Sequence, residues 1–156
     1  MNDLFIPGKG DYPLQHLVLD VNGTLAVQGQ LIEGVGERLA TIGRTMQIHL
    51  LTADTHGKQA EIDSALGLTA QRITPGRERE QKAKFVYQLG AENVVAIGNG
   101  GNDVGMLQAA ALGIAVIEGE GLNVEALLAA DIVTHSILDA LDLLVTPKRL
   151  IATMRR

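Results

Sequence analysis

Short aliphatic runs alternate with stretches of helical periodicity along most of the chain, and this alternation constrains the fold more than any other feature. Runs rich in Val, Ile and Leu predict five strands and one weaker strand, at 16–20, 46–52, 93–98, 112–117, 130–134 and, more weakly, 71–73. Helical patterns lie at 34–44, 55–66, 77–89, 102–110, 122–129, 136–144 and, after Pro147, 148–155. This order predicts βαβ units, and therefore an α/β fold with a central parallel sheet.

The composition agrees with strands that are buried on both faces. Apolar residues make up 46% of the 156 residues but aromatic residues only 3%, so the core must be built from aliphatic side chains. A chain of this length is expected to form one domain, spanning 1–156, with a core of its own.

Charge and hydropathy exclude several classes of function. The net charge of −5 gives no basic surface for nucleic acid. There is no cysteine, so disulfides and thiolate metal sites are impossible. The N-terminus lacks the pattern of a secretory signal, and the longest apolar run, 109–117, is far shorter than the roughly 20 residues of a membrane-spanning helix. We therefore expect a cytoplasmic protein with no membrane partner.

Polar residues follow the predicted strands at the points where chemistry is expected. Asp20-Val21-Asn22-Gly23-Thr24 follows the first strand, Thr52-Ala53-Asp54 the second, and "NGGND" (99–103) the strand at 93–98, while Lys82 and Lys84 lie on the helix before that strand. The carboxyl ends of parallel strands share one edge of a sheet, so these groups are expected to converge. Carboxylates, a hydroxyl, a lysine and exposed backbone suit the binding of a phosphoryl group with Mg²⁺.

Each of these residues taken alone also has a structural explanation. Asn22-Gly23 is a common hairpin turn. Thr52 or Asp54, and likewise Asn102 or Asp103, are possible helix N-caps. On the structural explanation, Lys82 is one more solvated lysine on a charged helix. Their joint occurrence, in order and at strand ends, favours the functional explanation.

Four segments resemble the ordered motifs of the haloacid dehalogenase superfamily: "DVNGT" (20–24), "LLTAD" (50–54), Lys82 within "EQKAKFVYQLG", and "GNGGND" (98–103). The resemblance spans about residues 15–145 and is strongest to the phosphorylation domain of P-type ATPases, whose motifs typically read DKTGT, TGD, a lysine in a helix, and GDGxND. It implies a three-layer, Rossmann-like fold. A group of small soluble P-type-ATPase-like proteins is similar in its "GNG-x-ND" variant.

The resemblance also implies roles for individual residues. Asp20 would be the nucleophile that forms an aspartyl-phosphate, assisted by Asn22, Thr52 and Lys82, with Lys84 as the competing lysine. Phosphate would be bound by Gly23, Thr52, Ala53 and Lys82. A Mg²⁺ cofactor would be held by Asp20, Asn22, Asn99 and Asp103, with help from the Val21 main-chain carbonyl. Asp54 matches the aspartate of the TGD motif.

Two residues depart from the family pattern. Hydrolytic members have an aspartate where this chain has Asn22, and that aspartate is the general acid and base. An amide cannot exchange a proton in this way, and loss of such a group typically costs about 10²- to 10⁴-fold in rate. Asn99 replaces an aspartate that normally binds Mg²⁺, so cation binding is expected to weaken.

The spacing of the motifs leaves no room for a cap domain. Only 31 residues separate Asp20 from Thr52, and 29 separate Thr52 from Lys82. A small flap at 25–34, turning at Gln28-Gly29, is the most that fits, so the site is expected to be open unless a partner subunit of a homo-oligomer covers it. We predict a slow Mg²⁺-dependent phosphohydrolase for a small phosphorylated substrate or a phosphoprotein. The alternative is a pseudo-phosphatase that binds phosphate or a phosphorylated protein partner without turnover.

Overall fold

The computed structural model describes residues 3–53 and 57–156, which contain ten strands and seven α-helices. The strands are β1 (Leu4–Ile6), β2 (Gly10–Tyr12), β3 (His16–Asp20), β4 (Ala26–Val27), β5 (Gln30–Leu31), β6 (Gln47–Thr52), β7 (Gln71–Arg72), β8 (Val94–Gly98), β9 (Leu112–Val116) and β10 (Ile132–Thr134). The helices are α1 (Val35–Ile42), α2 (Gln59–Leu66), α3 (Glu78–Leu89), α4 (Val104–Ala109), α5 (Val124–Ala129), α6 (Ile137–Val145) and α7 (Pro147–Met154).

Six strands form one parallel sheet in the order β10-β9-β8-β3-β6-β7. From β3 the chain first moves outward through β6 to β7, and it then returns through α3 to β8 on the other side of β3. The order of the strands therefore reverses between β3 and β8. In open α/β sheets, ligands bind at such a switch point, outside the carboxyl ends of the strands.

Both faces of the sheet are buried, as the aliphatic composition predicts. Side chains along a strand alternate between faces, so Leu17 and Leu19 of β3 enter one core while Val18 enters the other. The first core also contains buried residues of α1, α2, α6 and α7, and the second those of α3, α4 and α5. The predicted three-layer fold with a central parallel sheet is confirmed.

The flap between β3 and α1 is a two-stranded antiparallel hairpin formed by β4 and β5. Its loop is Gln28-Gly29, and both residues have positive φ angles, 53° and 77°. This is the backbone twist that favours a two-residue hairpin loop. The structure therefore confirms the predicted flap and its turn, and nothing larger is inserted between β3 and α1.

A second hairpin, β1 with β2, was not predicted from the sequence. Leu4 and Ile6 are buried in the first core, and the Arg156 N–H donates to the Pro7 carbonyl at 3.0 Å. The hairpin thus ties the start of the chain to its end. Its strands have three residues each, which is too short for a period-two pattern to emerge.

Candidate active site

A cleft of about 230 Å³ lies at the switch point between β3 and β8. Its walls are formed by Asp20, Asn22, Ala53, Glu78, Asn99, Gly100, Asn102 and Glu120. Four of these residues, Asp20, Asn22, Ala53 and Asn99, belong to the set selected from the sequence. The loops after β3, β6, β8 and β9 therefore meet at one edge of the sheet, as a parallel sheet requires.

Lys82 joins two carboxylates beneath the cleft. Its Nζ lies 2.9 Å from Asp20 Oδ1 and 2.8 Å from Asp103 Oδ1, and its side chain is only 1% exposed. Lys84, two residues further along α3, is exposed to solvent. The structure thus places Lys82, and not Lys84, beside the candidate nucleophile, and Lys82 is not a solvated surface lysine.

Asp103 is fully buried, and both its carboxylate oxygens are engaged. Oδ1 accepts from Lys82, while Oδ2 accepts from the main-chain N–H groups of Asn99 and Gly100, each at 2.9 Å. Asp103 therefore holds the loop after β8 in shape and also fixes Lys82. Gly98 permits this arrangement, because a Cβ at that position would lie 2.5 Å from Asp103 Cγ.

The electrostatics of this cluster follow from its burial. Burial, assisted by the negative charge of Asp103, raises the pKa of Asp20 to about 7, although Lys82 and Thr24 act in the opposite direction. Burial lowers the pKa of Lys82, but the charges of Asp20 and Asp103 and the hydrogen bonds to both outweigh burial and raise it. Lys82 is therefore a permanent cation. A carboxyl group with so displaced a pKa is typical of functional sites.

The hydroxyl of Thr24 connects the loops after β3 and β8. Thr24 Oγ1 lies 3.2 Å from Asp20 Oδ2 and 3.2 Å from Asn99 Oδ1, and the residue is fully buried. Asn99 Nδ2 donates to the Gly121 carbonyl at 3.1 Å, and its amide oxygen is thereby left to accept from Thr24. Two oxygen ligands of the kind that hard cations prefer thus converge at Thr24.

The turn after Asp20 uses main-chain groups that the family resemblance had assigned to ligands. The Val21 carbonyl accepts from the N–H groups of Thr24, Leu25 and Ala26, so it is not available to a metal ion, contrary to expectation. The Gly23 N–H donates to the Ala26 carbonyl at 2.7 Å, and this donor is likewise occupied. The segment after Asp20 is therefore a turn, as the Asn22-Gly23 pair indicates, and it also leaves Asp20 in the wall of the cleft.

Asn22 points towards the loop after β6, where its Nδ2 donates to Thr52 Oγ1 at 3.2 Å. Thr52 is buried, and it is not a helix cap, because α2 begins only at Gln59 with Lys58 in the N-cap position. Ala53 lies beside it on the cleft wall. Asp54, which matches the aspartate of the TGD motif, lies outside the described residues.

Five residues at the site were not among the candidate site residues of the sequence analysis: Thr24, Glu78, Gly100, Asn102 and Glu120. Thr24 belongs to the "DVNGT" segment, and its spacing of four from Asp20 was the available signal. Asn102 Nδ2 donates to Glu78 Oε2 at 2.9 Å, which fixes one side of the cleft. Glu120 lies in the loop after β9, a position that the strand-end rule covers but that no family motif includes.

Metal-binding clusters made only of ionisable side chains are not found among the described residues. Within residues 3–53 and 57–156, no group of three or more His, Asp or Glu side chains is arranged to hold a metal ion. A cation at this edge of the sheet would therefore need amide, main-chain or water oxygens in addition to Asp20. Over the same residues, no helix is both long and apolar enough to cross a membrane.

Comparison with known proteins identifies the family. A family model described as haloacid dehalogenase-like hydrolase matches residues 80–139, which include Lys82, Asn99 and Asp103. An uncharacterized protein of Methanocaldococcus jannaschii, MJ0073, is 46% identical over 84 residues, covering 51% of this chain and 90% of the relative. The chain belongs to the haloacid dehalogenase-like hydrolases. The prediction of a hydrolase of this family is thereby confirmed.

A second uncharacterized protein of Methanocaldococcus jannaschii, MJ0072, is 46% identical over 39 residues, covering 25% of this chain and 89% of the relative. The chain covers about nine tenths of each of these two relatives.

Solved structures of other haloacid dehalogenase-like proteins share the fold. A cobalt-bound deoxy-D-mannose-octulosonate 8-phosphate phosphatase from Haemophilus influenzae superposes with a TM-score of 0.70 at 17% identity, covering 87% of this chain and 90% of that one. The 3-deoxy-D-manno-octulosonate 8-phosphate phosphatase of Moraxella catarrhalis, in complex with magnesium and phosphate ions and a KDO molecule, superposes with a TM-score of 0.66 at 17% identity. The match covers 91% of this chain and 94% of that one.

A zinc-transporting PIB-type ATPase gives a TM-score of 0.63 at a higher identity, 28%. The match covers 79% of this chain but only 20% of the ATPase. The predicted likeness to a P-type ATPase is therefore confirmed, and it is confined to one part of that larger protein.

Proposed function

We propose that the chain is a Mg²⁺-dependent phosphohydrolase that acts on phosphate monoesters through an aspartyl-phosphate on Asp20. The observation that carries this proposal is the position of Lys82, whose Nζ contacts Asp20 Oδ1 and Asp103 Oδ1 at 2.9 and 2.8 Å while Asp20 forms part of the cleft wall. This geometry presents a carboxylate to a ligand and places a fixed cation against it.

The proposed reaction begins with attack of an Asp20 carboxylate oxygen on phosphorus. The bond from phosphorus to the leaving-group oxygen breaks, and that oxygen takes a proton from solvent. Water then attacks the phosphorus of the aspartyl-phosphate, which releases inorganic phosphate and regenerates the Asp20 carboxylate. Lys82 stabilises the negative charge shared by Asp20 and the phosphoryl oxygens, and Thr52 donates its hydroxyl to one of them. Positioning and charge stabilisation are the main requirements of phosphoryl transfer.

The donor set at the cleft fits Mg²⁺. Asp20 supplies a carboxylate and Asn99 an amide oxygen, and these two oxygens share the Thr24 hydroxyl. We assign the Asn22 main-chain carbonyl to the site as well, because this carbonyl accepts no hydrogen bond from the described residues. Asp103 contributes indirectly, since both its oxygens are engaged. When bound, Mg²⁺ neutralises charge on the phosphoryl oxygens.

Slow turnover follows from the residue at position 22. The Asn22 amide donates to Thr52 and has no proton to give to a leaving group, so both the departure of that group and the activation of water depend on solvent. A small phosphate ester suits a cleft of about 230 Å³. Two of the structural neighbours are phosphatases for a small phosphorylated sugar acid, which supports a small substrate here.

The test is Mg²⁺-dependent hydrolysis of a panel of phosphate esters by the native protein, Asp20→Asn and Asn22→Asp. We expect Asp20→Asn to be inactive and to form no acid-stable, hydroxylamine-sensitive phosphoenzyme, which the native protein should form. Equal activity in the native protein and Asp20→Asn would overturn the proposal.

A second candidate function is suggested by the two amides, Asn22 and Asn99. Both stand where hydrolytic relatives carry carboxylates, and this pattern is consistent with a protein that binds phosphate or a phosphorylated partner without turnover. Beryllium fluoride, a phosphoryl mimic, separates the two functions. Binding that requires Asp20, together with no hydrolysis of any ester in the panel, would favour the binding function.

A further inference from the structure

A tight turn at Glu118–Gly121 borders the cleft on the side of β9. The Gly121 N–H donates to the Glu118 carbonyl at 2.8 Å and closes the turn. Glu118 Oε1 accepts from the Ile137 N–H at 2.6 Å, which ties the turn to the start of α6. At its corner, Gly119 approaches the flap so closely that a Cβ there would lie 3.0 Å from Val27 Cγ1. The turn is therefore held from several sides.

The same segment is bonded to Asn99 at two points. Asn99 Nδ2 donates to the Gly121 carbonyl at 3.1 Å, and the Asn99 carbonyl accepts from the Asn123 N–H at 2.9 Å. The loops after β8 and β9 are thus joined through Asn99, whose amide oxygen accepts from the same Thr24 hydroxyl as Asp20. A shift of the turn would move that amide.

Glu120, at the tip of this turn, brings its carboxylate to the candidate cation ligands. A Cβ at Gly23 would lie 2.6 Å from Glu120 Oε2, 2.8 Å from Asn99 Nδ2 and 3.1 Å from Asn99 Oδ1. The carboxylate of Glu120 and the amide of Asn99 therefore approach one point, and they do so only because Gly23 has no side chain. Glu120 also forms part of the same cleft wall as Asp20.

We infer that Glu120 is a charged member of the divalent-cation site and supplies the negative charge that Asn99 does not. This inference rests on the proposed function for the identity of the cation. Asp20 is the only carboxylate among the ligands assigned above, and Mg²⁺ in proteins is usually bound by one or two carboxylates, so a second carboxylate lies within the usual range. Glu120 adds a second negative charge from the loop after β9 and acts as a positioning residue for the cation and for Asn99.

The expected size of the effect follows from comparable metal sites. Loss of a group that contacts metal ligands typically costs about 10- to 100-fold in metal affinity. Glu120 is exposed, so its contribution should also weaken with added salt, because ions screen charges at solvent-exposed sites.

The experiment measures Mg²⁺ binding by titration calorimetry, and Mn²⁺ binding by electron paramagnetic resonance, for the native protein and Glu120→Gln. The matched control is Glu92→Gln, which removes the same charge from an exposed residue just before β8, at the end of that strand away from the cleft. We expect Glu120→Gln to bind both cations about 10- to 100-fold more weakly and Glu92→Gln to bind them within about twofold of native.

A rescue variant tests whether the negative charge of Glu120 is what strengthens cation binding. Asn99→Asp with Glu120→Gln returns a carboxylate to the site, and its affinity is expected to recover most of the loss. Native affinity in Glu120→Gln, or an equal loss in Glu92→Gln, would overturn the inference. Because binding is measured without substrate, that result is separate from failure of the proposed hydrolysis, which Asp20→Asn reports through phosphoenzyme formation.

Discussion

The Lys82 ammonium lies 2.8 Å from Asp103 Oδ1, and both side chains are buried, with exposed fractions of 1% and 0%. This ion pair forms the floor of the candidate site. Through the remaining bond to Asp20 it joins α3, the end of β3 and the loop after β8. Isolated buried charges are costly, so each member of this cluster depends on the others.

Removal of the Lys82 charge is expected to damage both stability and activity. Lys82→Met leaves Asp20 and Asp103 buried without their cation, and loss of one partner of a buried ion pair typically costs about 3–5 kcal/mol. Urea unfolding at pH 7 measures the change, and hydrolysis of phosphate esters should be abolished. Lys84→Met is the control, since Lys84 is exposed on the same helix. Equal unfolding midpoints for the two variants would contradict the assignment.

The Thr24 hydroxyl is expected to matter more for cation binding than for folding. Thr24→Val keeps the shape but removes the contacts to Asp20 Oδ2 and Asn99 Oδ1. We expect Mg²⁺ affinity to fall by at least about tenfold, in the range known for groups that orient metal ligands. Calorimetry gives the affinity. Thr24→Ser, which keeps the hydroxyl, should bind close to native, and a Thr24→Val protein with native affinity would refute this role.

The missing general acid should be visible in the dependence of rate on the leaving group. With Asn22, the leaving oxygen is protonated only by solvent, so nitrophenyl phosphate should be hydrolysed much faster than alkyl phosphates. Asn22→Asp supplies an acid and should raise kcat/KM for alkyl phosphates by about 10²-fold or more, with a smaller gain for nitrophenyl phosphate.

Asn22→Ala separates the acid from the contact with Thr52. It removes the hydrogen bond to Thr52 Oγ1 without adding a proton donor, so it should lower the rates of all esters together. If Asn22→Asp raised kcat/KM for all esters by the same factor, the native protein would not be limited by the lack of a general acid.

A histidine pair at the opposite end of the sheet is expected to make stability depend on pH. His16 Nδ1 lies 3.2 Å from His49 Nε2, and the His49 ring meets Phe85 edge to face. Burial, followed by the charge of His16, lowers the pKa of His49. The unfolded chain therefore binds a proton more readily than the folded one. Stability associated with His49 is fully present above the ordinary histidine pKa, about 6.5, and is lost as pH falls through the folded value.

Chemical unfolding between pH 5.5 and 7.5 tests this expectation. In His49→Gln the free energy of unfolding should fall less steeply as the pH drops below about 6.5. In His135→Gln, which changes an exposed histidine, the pH dependence should remain as in the native protein. An unchanged pH dependence in His49→Gln would show that other groups are responsible.

The larger elements of the fold were predictable because they carry strong local signals. The strand at 16–20 and the helix at 77–89 correspond to His16–Asp20 and Glu78–Leu89, since a buried parallel strand is continuously aliphatic and a helix of three turns shows its periodicity. The β1-β2 hairpin was missed because its stability comes from packing against α7 and the first core, which no local pattern reports.

Within the site, the sequence identified residues that belong to ordered motifs. The "EQK" context favoured Lys82 over Lys84, and residues two apart cannot share a helix face, so only one of them could reach Asp20. The structure buries Lys82 and exposes Lys84. Glu120 was not predicted, because its approach to Asn99 depends on how the loop after β9 folds back across the loop after β8. Contacts between loops distant in sequence are set by the sheet, not by local residue types.

Asp20 ends β3, which is paired with β6 on one side and β8 on the other. The candidate nucleophile therefore lies at the end of a central strand, and such strands are among the elements of a protein that open least often, whereas Glu78 begins α3 and Glu120 lies on a loop. Because the main chain at Asp20 is already ordered by both neighbouring strands, a ligand that enters the cleft loses little free energy by ordering it. The ordering it imposes falls on the rim, and differences in affinity among ligands should accordingly appear as differences in hydrogen exchange there.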